Sequence, residues 1–358
     1  MIPLFKVFMS DEARQKVQKV LSSGFIGQGP VVDQFEAALQ EKFGVKNLVT
    51  VNSCTSALHA VLAYLGVGPG DEVITTALTC TATNAPIIAL GARPVWADID
   101  SRTGLITPEG VAAKVTPRTK AIIGVSWTGR LIDWQPFKNL GIPLIEDAAH
   151  GPLIPWRPGG YSPDFVCYSF GPIKHLTCGD GGAVVAKDPQ AADVIRLMRW
   201  YGLDRRSTQD FRCAQDIKHP GLKWHMTDLN AAIGLGNLEH LDMVVGMHKQ
   251  NAWSLHKELS RMYRSSIYLP PFDDHSNYWV FPVIVRGDRD RLKERLLSQG
   301  IMASQVHARN DKHSAFNYPN GPLPGLDKFD QQQLNIPCGW WVKYEDIEKM
   351  VDAFRDTY

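Results

Sequence analysis

From Val31 to about Asp188, short apolar runs that end in polar or glycine-rich turns alternate with stretches of helical period. This alternation constrains the fold more than any single residue does. Residues 48–51, 72–75, 94–97, 121–125 and 143–146 read as strands, and residues 56–65 and 82–90 as helices between them. Gly66, Gly68 and Gly70 stop the first helix. Strands spaced by helices predict an α/β protein with a largely parallel sheet.

After residues 182–186 the texture changes. A helix from about 189 to 200 leads into a polar stretch rich in Arg, Asp and Gln, expected as a long loop. A second helical region runs from about Thr227 to beyond Lys249, long enough to bridge two lobes. Strand-like residues 278–285 precede a charged helix at 288–298 and a last helix at 344–355, the pattern of a smaller α+β lobe. A length of 358 residues gives a prior of about two domains. The expected division is a large domain at 1–240 and a small carboxyl-terminal domain at 241–358.

Lys+Arg 38 against Asp+Glu 37 leaves a formal charge of +1, so no global field attracts nucleic acid or an acidic membrane surface. Neither partner is expected. Hydrophobic content of 44% with 21% charged residues is that of an ordinary globular chain. The six cysteines are scattered with no CxxC pair and no zinc-like spacing, which predicts reduced thiols and no metal. The amino terminus is apolar for only a few residues before Asp11 and Glu12, too short for a secretory segment, and a cytoplasmic protein is expected.

Four separated clusters carry chemistry. In Asn52-Ser53-Cys54-Thr55-Ser56-Ala57-Leu58, hydroxyl residues lie between a strand and a helix, where free N–H groups suit a phosphate; simple capping by Ser53 or Thr55 is the plainer alternative. In Glu146-Asp147-Ala148-Ala149-His150-Gly151, Asp147 follows a strand, at the edge where open α/β sheets bind ligands. A carboxylate there can hold a heterocyclic nitrogen protonated, or merely cap a turn. The third cluster runs from Cys167 through Ser169 and Lys174 to Gly179-Asp180-Gly181-Gly182. A lysine amine in a partly apolar pocket loses basicity and forms Schiff bases, the chemistry used with pyridoxal phosphate, although most lysines are solvated surface charges. The glycine-rich turn permits close backbone approach, and Ser169 adds a phosphate donor. The fourth cluster is Gly221-Leu222-Lys223-Trp224-His225-Met226-Thr227-Asp228, which opens a helix.

Together these residues resemble the DegT/DnrJ/EryC1/StrS family of sugar-nucleotide aminotransferases, from about residue 24 to the last helix. The resemblance implies an aspartate-aminotransferase-like fold: a large pyridoxal-phosphate-binding domain with a mostly parallel seven-stranded-type sheet, and a smaller α+β domain. It implies that the segment from Ser53, with Cys54 and Thr55, binds the cofactor phosphate together with Ser169. Asp147 would meet the pyridine nitrogen, His150 would lie near the ring hydroxyl, and Lys174 would form the Schiff base. The segment 221–228 would reach into the neighbouring subunit, where Lys223 or His225 completes the phosphate site.

Several positions depart from the family pattern. Cys54 replaces a glycine or alanine, Cys80 an aromatic ring on the cofactor face, Asp180 a glutamate, and Lys223 and His225 an asparagine and an arginine. Lys174 is present where a dehydrating branch has histidine, which favours transamination. The implied enzyme is a homodimer with composite active sites. It would move an amino group from L-glutamate to a keto-deoxy sugar carried by a nucleoside diphosphate, the cofactor alternating between pyridoxal and pyridoxamine phosphate. The product would be an amino sugar for glycans such as lipopolysaccharide O-antigen. A dehydratase or lyase on the same fold, and a non-catalytic cofactor-binding regulator, are the alternatives. Substrate choice is expected in residues 127–130, around Arg205, and in 307–313.

Overall fold

The seven strands β1 (Leu48–Val51), β2 (Glu72–Thr75), β3 (Arg93–Trp96), β4 (Thr119–Val125), β5 (Leu144–Asp147), β6 (Phe165–Ser169) and β7 (Gly182–Ala186) form one sheet in the order β1-β7-β6-β5-β4-β2-β3. The computed structural model behind this description covers residues 1–151, 162–207, 213–262, 266–319 and 321–357. β3, β2, β4, β5 and β6 run parallel, while β7 is antiparallel to both its neighbours. All residues of β1, β2, β5 and β7 are buried, as expected for strands of a sheet covered on both faces. The expected α/β class, with its mostly parallel seven-stranded sheet, is the observed one.

The amino-terminal helices are α1 (Asp11–Ser23), α2 (Pro30–Phe43), α3 (Cys54–Tyr64), α4 (Thr81–Ala89), α5 (Pro108–Ala112) and α6 (Pro189–Met198). α3 starts where Ser53 Oγ accepts the Ser56 N–H at 3.1 Å, and the chain leaves it through Gly66 at φ 69°. Its apolar face, Ala57, Leu58 and Val61, packs on Val49, Ile145 and Val184 of the sheet. α2 lays Phe35 and Leu39 against Tyr168 and Phe170. Phe316, Leu326 and Phe329, from the carboxyl-terminal part, join Trp96 and Ile122 in a further core.

The helical region expected beyond Thr227 is two helices, α7 (Asp228–Leu238) and α8 (Leu241–Leu259). No glycine or proline marks the break at Glu239–His240. Asn237 does: its side chain accepts from Ser10 N–H and donates to Thr177 O, both at 2.9 Å, which fixes the end of α7 against α1 and the body of the protein. Beyond it follow β8 (Ile267–Tyr268), β9 (Phe281–Val285), α9 (Arg289–Ser298), α10 (Pro324–Gln332), β10 (Gln333–Ile336) and α11 (Tyr344–Arg355). The three strands form an antiparallel sheet ordered β10-β9-β8, an α+β arrangement with its own core of Leu255, Val283, Leu292, Leu334 and Phe354. The polar stretch after α6 contains neither helix nor strand among its described residues, and 208–212 lie outside them.

The strand expected over 278–285 begins only at Phe281. Tyr278 sits at φ 46°, and the backbone around it bonds elsewhere: Asn277 N–H donates to Gly129 O at 3.1 Å and Trp279 N–H to Thr128 O at 2.9 Å. Those two bonds draw the approach to β9 onto the loop after β4.

Candidate active site

β5 and β6 are parallel neighbours, so their carboxyl ends, Asp147 and Ser169, reach the same edge of the sheet as the start of α3. A cavity of about 240 Å³ opens there, bordered by Ser53, Cys54, Thr55, Cys80, Asp147, His150, Ser169 and Lys174. Thus three of the four clusters found in sequence converge on one site.

Asp147 is buried, with Oδ2 accepting from the Thr83 hydroxyl at 2.8 Å and Oδ1 from Ala149 N–H at 3.0 Å. The Cys54 thiol points at Oδ1 from 3.7 Å. Burial pushes the carboxyl pKa up, against the pull of Thr83, Ala149 and Lys174. Among the described residues no cation forms a salt bridge with it. A buried carboxylate held by donors and in no salt bridge fits a protonated ring nitrogen.

Lys174 projects from the turn after β6. Burial lowers its amine to about 8, although Asp147, Cys54 and Cys80 favour the charged form. Its Nζ lies 4.0 Å from the centre of the Trp279 ring. His150 stacks on that indole at 4.0 Å and 19°. Burial, together with the nearby Lys174, keeps His150 far below the usual histidine range, hence neutral. His307 lies parallel to His150 at 6.0 Å and is lowered to about 4.

The other end of the cavity suits a phosphate. The amino end of α3, the Thr55 hydroxyl and Ser169 line it together. A Cβ on Gly182 would fall 2.5 Å from the Ser53 carbonyl carbon and 2.6 Å from Cys54 N, so only glycine lets β7 begin against this helix end. Carboxylate, lysine and anion cradle together match the parts that pyridoxal phosphate requires.

Lys223 and His225 do not border this cavity. Asn52 bonds the Lys223 carbonyl at 3.0 Å, which leaves the residue exposed near the start of α3. His225 stacks on Trp200 at 4.0 Å, and burial lowers it to about 4. Arg205 covers that indole and donates to Gln28 O, away from the site. Of the residues expected to choose substrate, Trp127 is a buried wall beside His150, and Arg130 donates to Pro271 O. The run 307–313 divides: His307 faces the cavity, whereas Arg309 is held by Asp311 and Asp327 and Lys312 by Asp330. Trp279 and Thr83 are site residues that sequence reasoning missed. Trp279 falls within the run expected as a strand, and Thr83 within the helix expected over 82–90.

The chain matches the model of the DegT/DnrJ/EryC1/StrS aminotransferase family over residues 8–355. It is similar to the crystal structure of AtS13 from Actinomadura melliaura, at 38% identity and a TM-score of 0.93, covering 100% of this chain and 99% of that one. It is also similar to the sugar aminotransferase CalS13 from Micromonospora echinospora, at 35% identity, a TM-score of 0.91 and 100% of both chains. For the aminotransferase TlmJ from Streptoalloteichus hindustanus the values are 29% identity, a TM-score of 0.90, and 99% and 98% coverage.

Proposed function

The chain belongs to the DegT/DnrJ/EryC1/StrS aminotransferase family, which depends on pyridoxal phosphate, and from that premise we propose that it transfers the amino group of L-glutamate to a keto-deoxy sugar linked to a nucleoside diphosphate. One observation carries the reading: Asp147, Lys174 and the anion cradle at α3 face a single cavity. Bound pyridoxal phosphate supplies a carbonyl that accepts amines and a ring that takes up the electron pair left when a proton departs from the donor's α-carbon. Lys174 Nζ carries that proton between the two carbons that exchange it. Asp147 holds a proton on the ring nitrogen through a charge-assisted hydrogen bond. Cys54, Thr55 and Ser169 bind the phosphate, Cys80 packs against the cofactor, and neutral His150 meets the ring hydroxyl.

A homodimer with composite sites fits two features. Lys223 is exposed outside its own cavity, and Ile173, beside Lys174, borders the cavity with 39% exposure. Lys223 rather than His225 is the phosphate partner, because His225 is stacked and neutral. Residues 1–240 form the cofactor-holding domain and 241–358 the small one, a division supported by the helix break after Leu238 and the separate carboxyl-terminal core. The enzyme works in the cytoplasm and makes amino sugars for glycans, O-antigen among them. Among the described residues no helix is long and apolar enough to cross a membrane. Mixing the protein with glutamate and a panel of nucleotide-linked keto sugars tests the reading: 2-oxoglutarate release matched by aminated sugar supports it. Glutamate turnover with none of the sugars aminated would refute the substrate class.

A further inference from the structure

We propose that Trp279 is a positioning residue for Lys174: its indole face receives the ε-ammonium group whenever that amine is not bonded to the cofactor, and holds it at the cavity wall. The inference rests on Lys174 being the cofactor-bonding lysine. Nζ stands 4.0 Å from the ring centre, and among the described residues the amine makes no hydrogen bond or salt bridge. Among the described residues, cation–π attraction to this ring is therefore its one direct polar contact.

The ring itself cannot drift. Trp279 is buried at 2% exposure, its Nε1 donates to Ile173 O at 2.9 Å, and its own N–H donates to Thr128 O at 2.9 Å. Phe5 stacks on it at 4.5 Å and His150 at 4.0 Å. The bond to Ile173 matters most, because it ties the indole to the residue before Lys174, so ring and lysine turn move together.

The groups that act on the amine from the surrounding elements are Asp147 at the end of β5, Cys54 on α3, Cys80 before α4, His175 beside it in sequence, and His150 and His307 across the cavity. The three histidines are held neutral by burial and contribute no attraction. Asp147 attracts the ammonium but has to serve the ring nitrogen. A neutral aromatic face resolves that competition: it favours the charged amine without offering a base that would take its proton.

The test uses full-length enzyme held in the pyridoxamine phosphate form, in which the lysine amine is free. Labelling of Lys174 by dinitrofluorobenzene is followed against pH by peptide mass spectrometry, and the midpoint reports the basicity of this one amine. Replacing Trp279 by leucine should move the midpoint down by about 0.5–1.5 pH units, with Trp279→Phe in between. Tryptophans carrying one, two and three ring fluorines, placed at 279, weaken the π face without changing its size and should lower the midpoint stepwise. A midpoint unmoved across the fluorinated series would overturn the proposal even if the leucine variant fails to fold. Borohydride reduction of the pyridoxal form separates the premise: label on a lysine other than Lys174 would remove the functional reading and this inference together, whereas label on Lys174 with a flat series removes only the inference.

Discussion

Thr83 donates its hydroxyl hydrogen to Asp147 across 2.8 Å, and the same oxygen lies 2.7 Å from Thr79, so Thr79 in turn donates to Thr83. The chain continues into the carboxyl-terminal part: Asn310 Nδ2 donates to Thr79 O and Asn84 Nδ2 to Asn310 Oδ1, both at 2.8 Å. Asp147 is thus tied through Thr83 and Thr79 to Asn310 of the carboxyl-terminal part, whose bonds to Asn84 and Thr79 each span more than two hundred positions of sequence.

Thr83→Val removes one donor from Asp147 and leaves the cavity shape nearly unchanged. Loss of a hydrogen bond to a buried charge costs about 1.5–3 kcal/mol, so the steps that need ionised Asp147 should slow roughly ten- to a hundredfold. The acid limb of kcat against pH should move upward, because the carboxylate is less favoured, while Thr83→Ser keeps the wild-type profile. An unchanged acid limb in the valine variant would show that Thr83 serves packing alone.

Asp147→Asn separates catalysis from stability. A neutral amide cannot hold the pyridinium charge, and removal of a preorganised electrostatic partner typically costs about 10²–10³ in kcat. Burial raises the Asp147 pKa in the folded chain, so stability falls as pH rises from the unfolded value of 3.8, and the loss is complete above the folded value. Cofactor-free Asp147→Asn should therefore melt at a higher temperature than cofactor-free wild type at pH 8. A lower Tm, together with near-normal turnover, would contradict both halves.

Lys174→Met should abolish turnover and raise the stability of the cofactor-free protein. The folded amine titrates near 8 and the unfolded one near 10.5, so between these values the unfolded chain binds more protons and wild-type stability rises with pH. The stabilising effect of Met is accordingly full below pH 8 and fades toward pH 10.5. Thermal melts of both proteins at pH 7 and pH 10 measure it; a gap of a few degrees that does not narrow would mean that the amine is not held in a low-dielectric site.

Much of this architecture is legible in local sequence. Residues 48–51 and 72–75 read as short strands rich in β-branched residues, and both are buried throughout as β1 and β2; Gly66 marks the end of α3 because the chain there needs positive φ. Lys174 and Asp147 are legible because each follows a strand of a parallel sheet, where side chains meet at one edge. Trp279 is not, since its role comes from Thr128 and Ile173, and Tyr278 through Phe281 reads as one apolar strand until those contacts bend it. The break at His240 is hidden for the same reason: Ser10 and Thr177, far off in sequence, hold Asn237. Arg309 misleads in the opposite sense: it lies in the run 307–313 expected to choose substrate, but Asp311 and Asp327 close on its charge.

Glu36→Gln should be the most damaging substitution outside the cavity. Glu36 is buried on α2, accepts from Thr50 N–H and hydroxyl of β1 at 2.9 Å, and pairs with Arg196 and buried Arg199 at the end of α6. Removing the carboxylate leaves buried Arg199 and half-buried Arg196 without their anion, at a cost of about 3–5 kcal/mol. The two arginines hold its pKa down to about 2; the stabilisation is complete above the unfolded value of 4.5 and disappears as pH falls toward 2. Urea midpoints from pH 6 down to 2.5 should fall more steeply for wild type than for the variant, and parallel slopes would rule out this site as the source of acid sensitivity.

Subunit complementation tests whether the active site is shared. If Lys223 completes the phosphate site of the partner, one Lys174→Ala subunit and one Lys223→Ala subunit build a heterodimer with one site carrying both defects and one carrying neither. Lys223→Ala is preferred to a change at His225, whose stack on Trp200 supports the local fold. At limiting cofactor each parent homodimer should be impaired, the second because removing a charged phosphate partner weakens binding by roughly 1–3 kcal/mol. Random exchange of equal amounts yields heterodimers as half of all dimers, so about a quarter of wild-type activity should return under isologous symmetry. Native mass spectrometry verifies the exchange. Verified heterodimers without recovery would mean that Lys223 acts within its own subunit, where Asn52 already holds its backbone beside α3, and the shared site would be excluded.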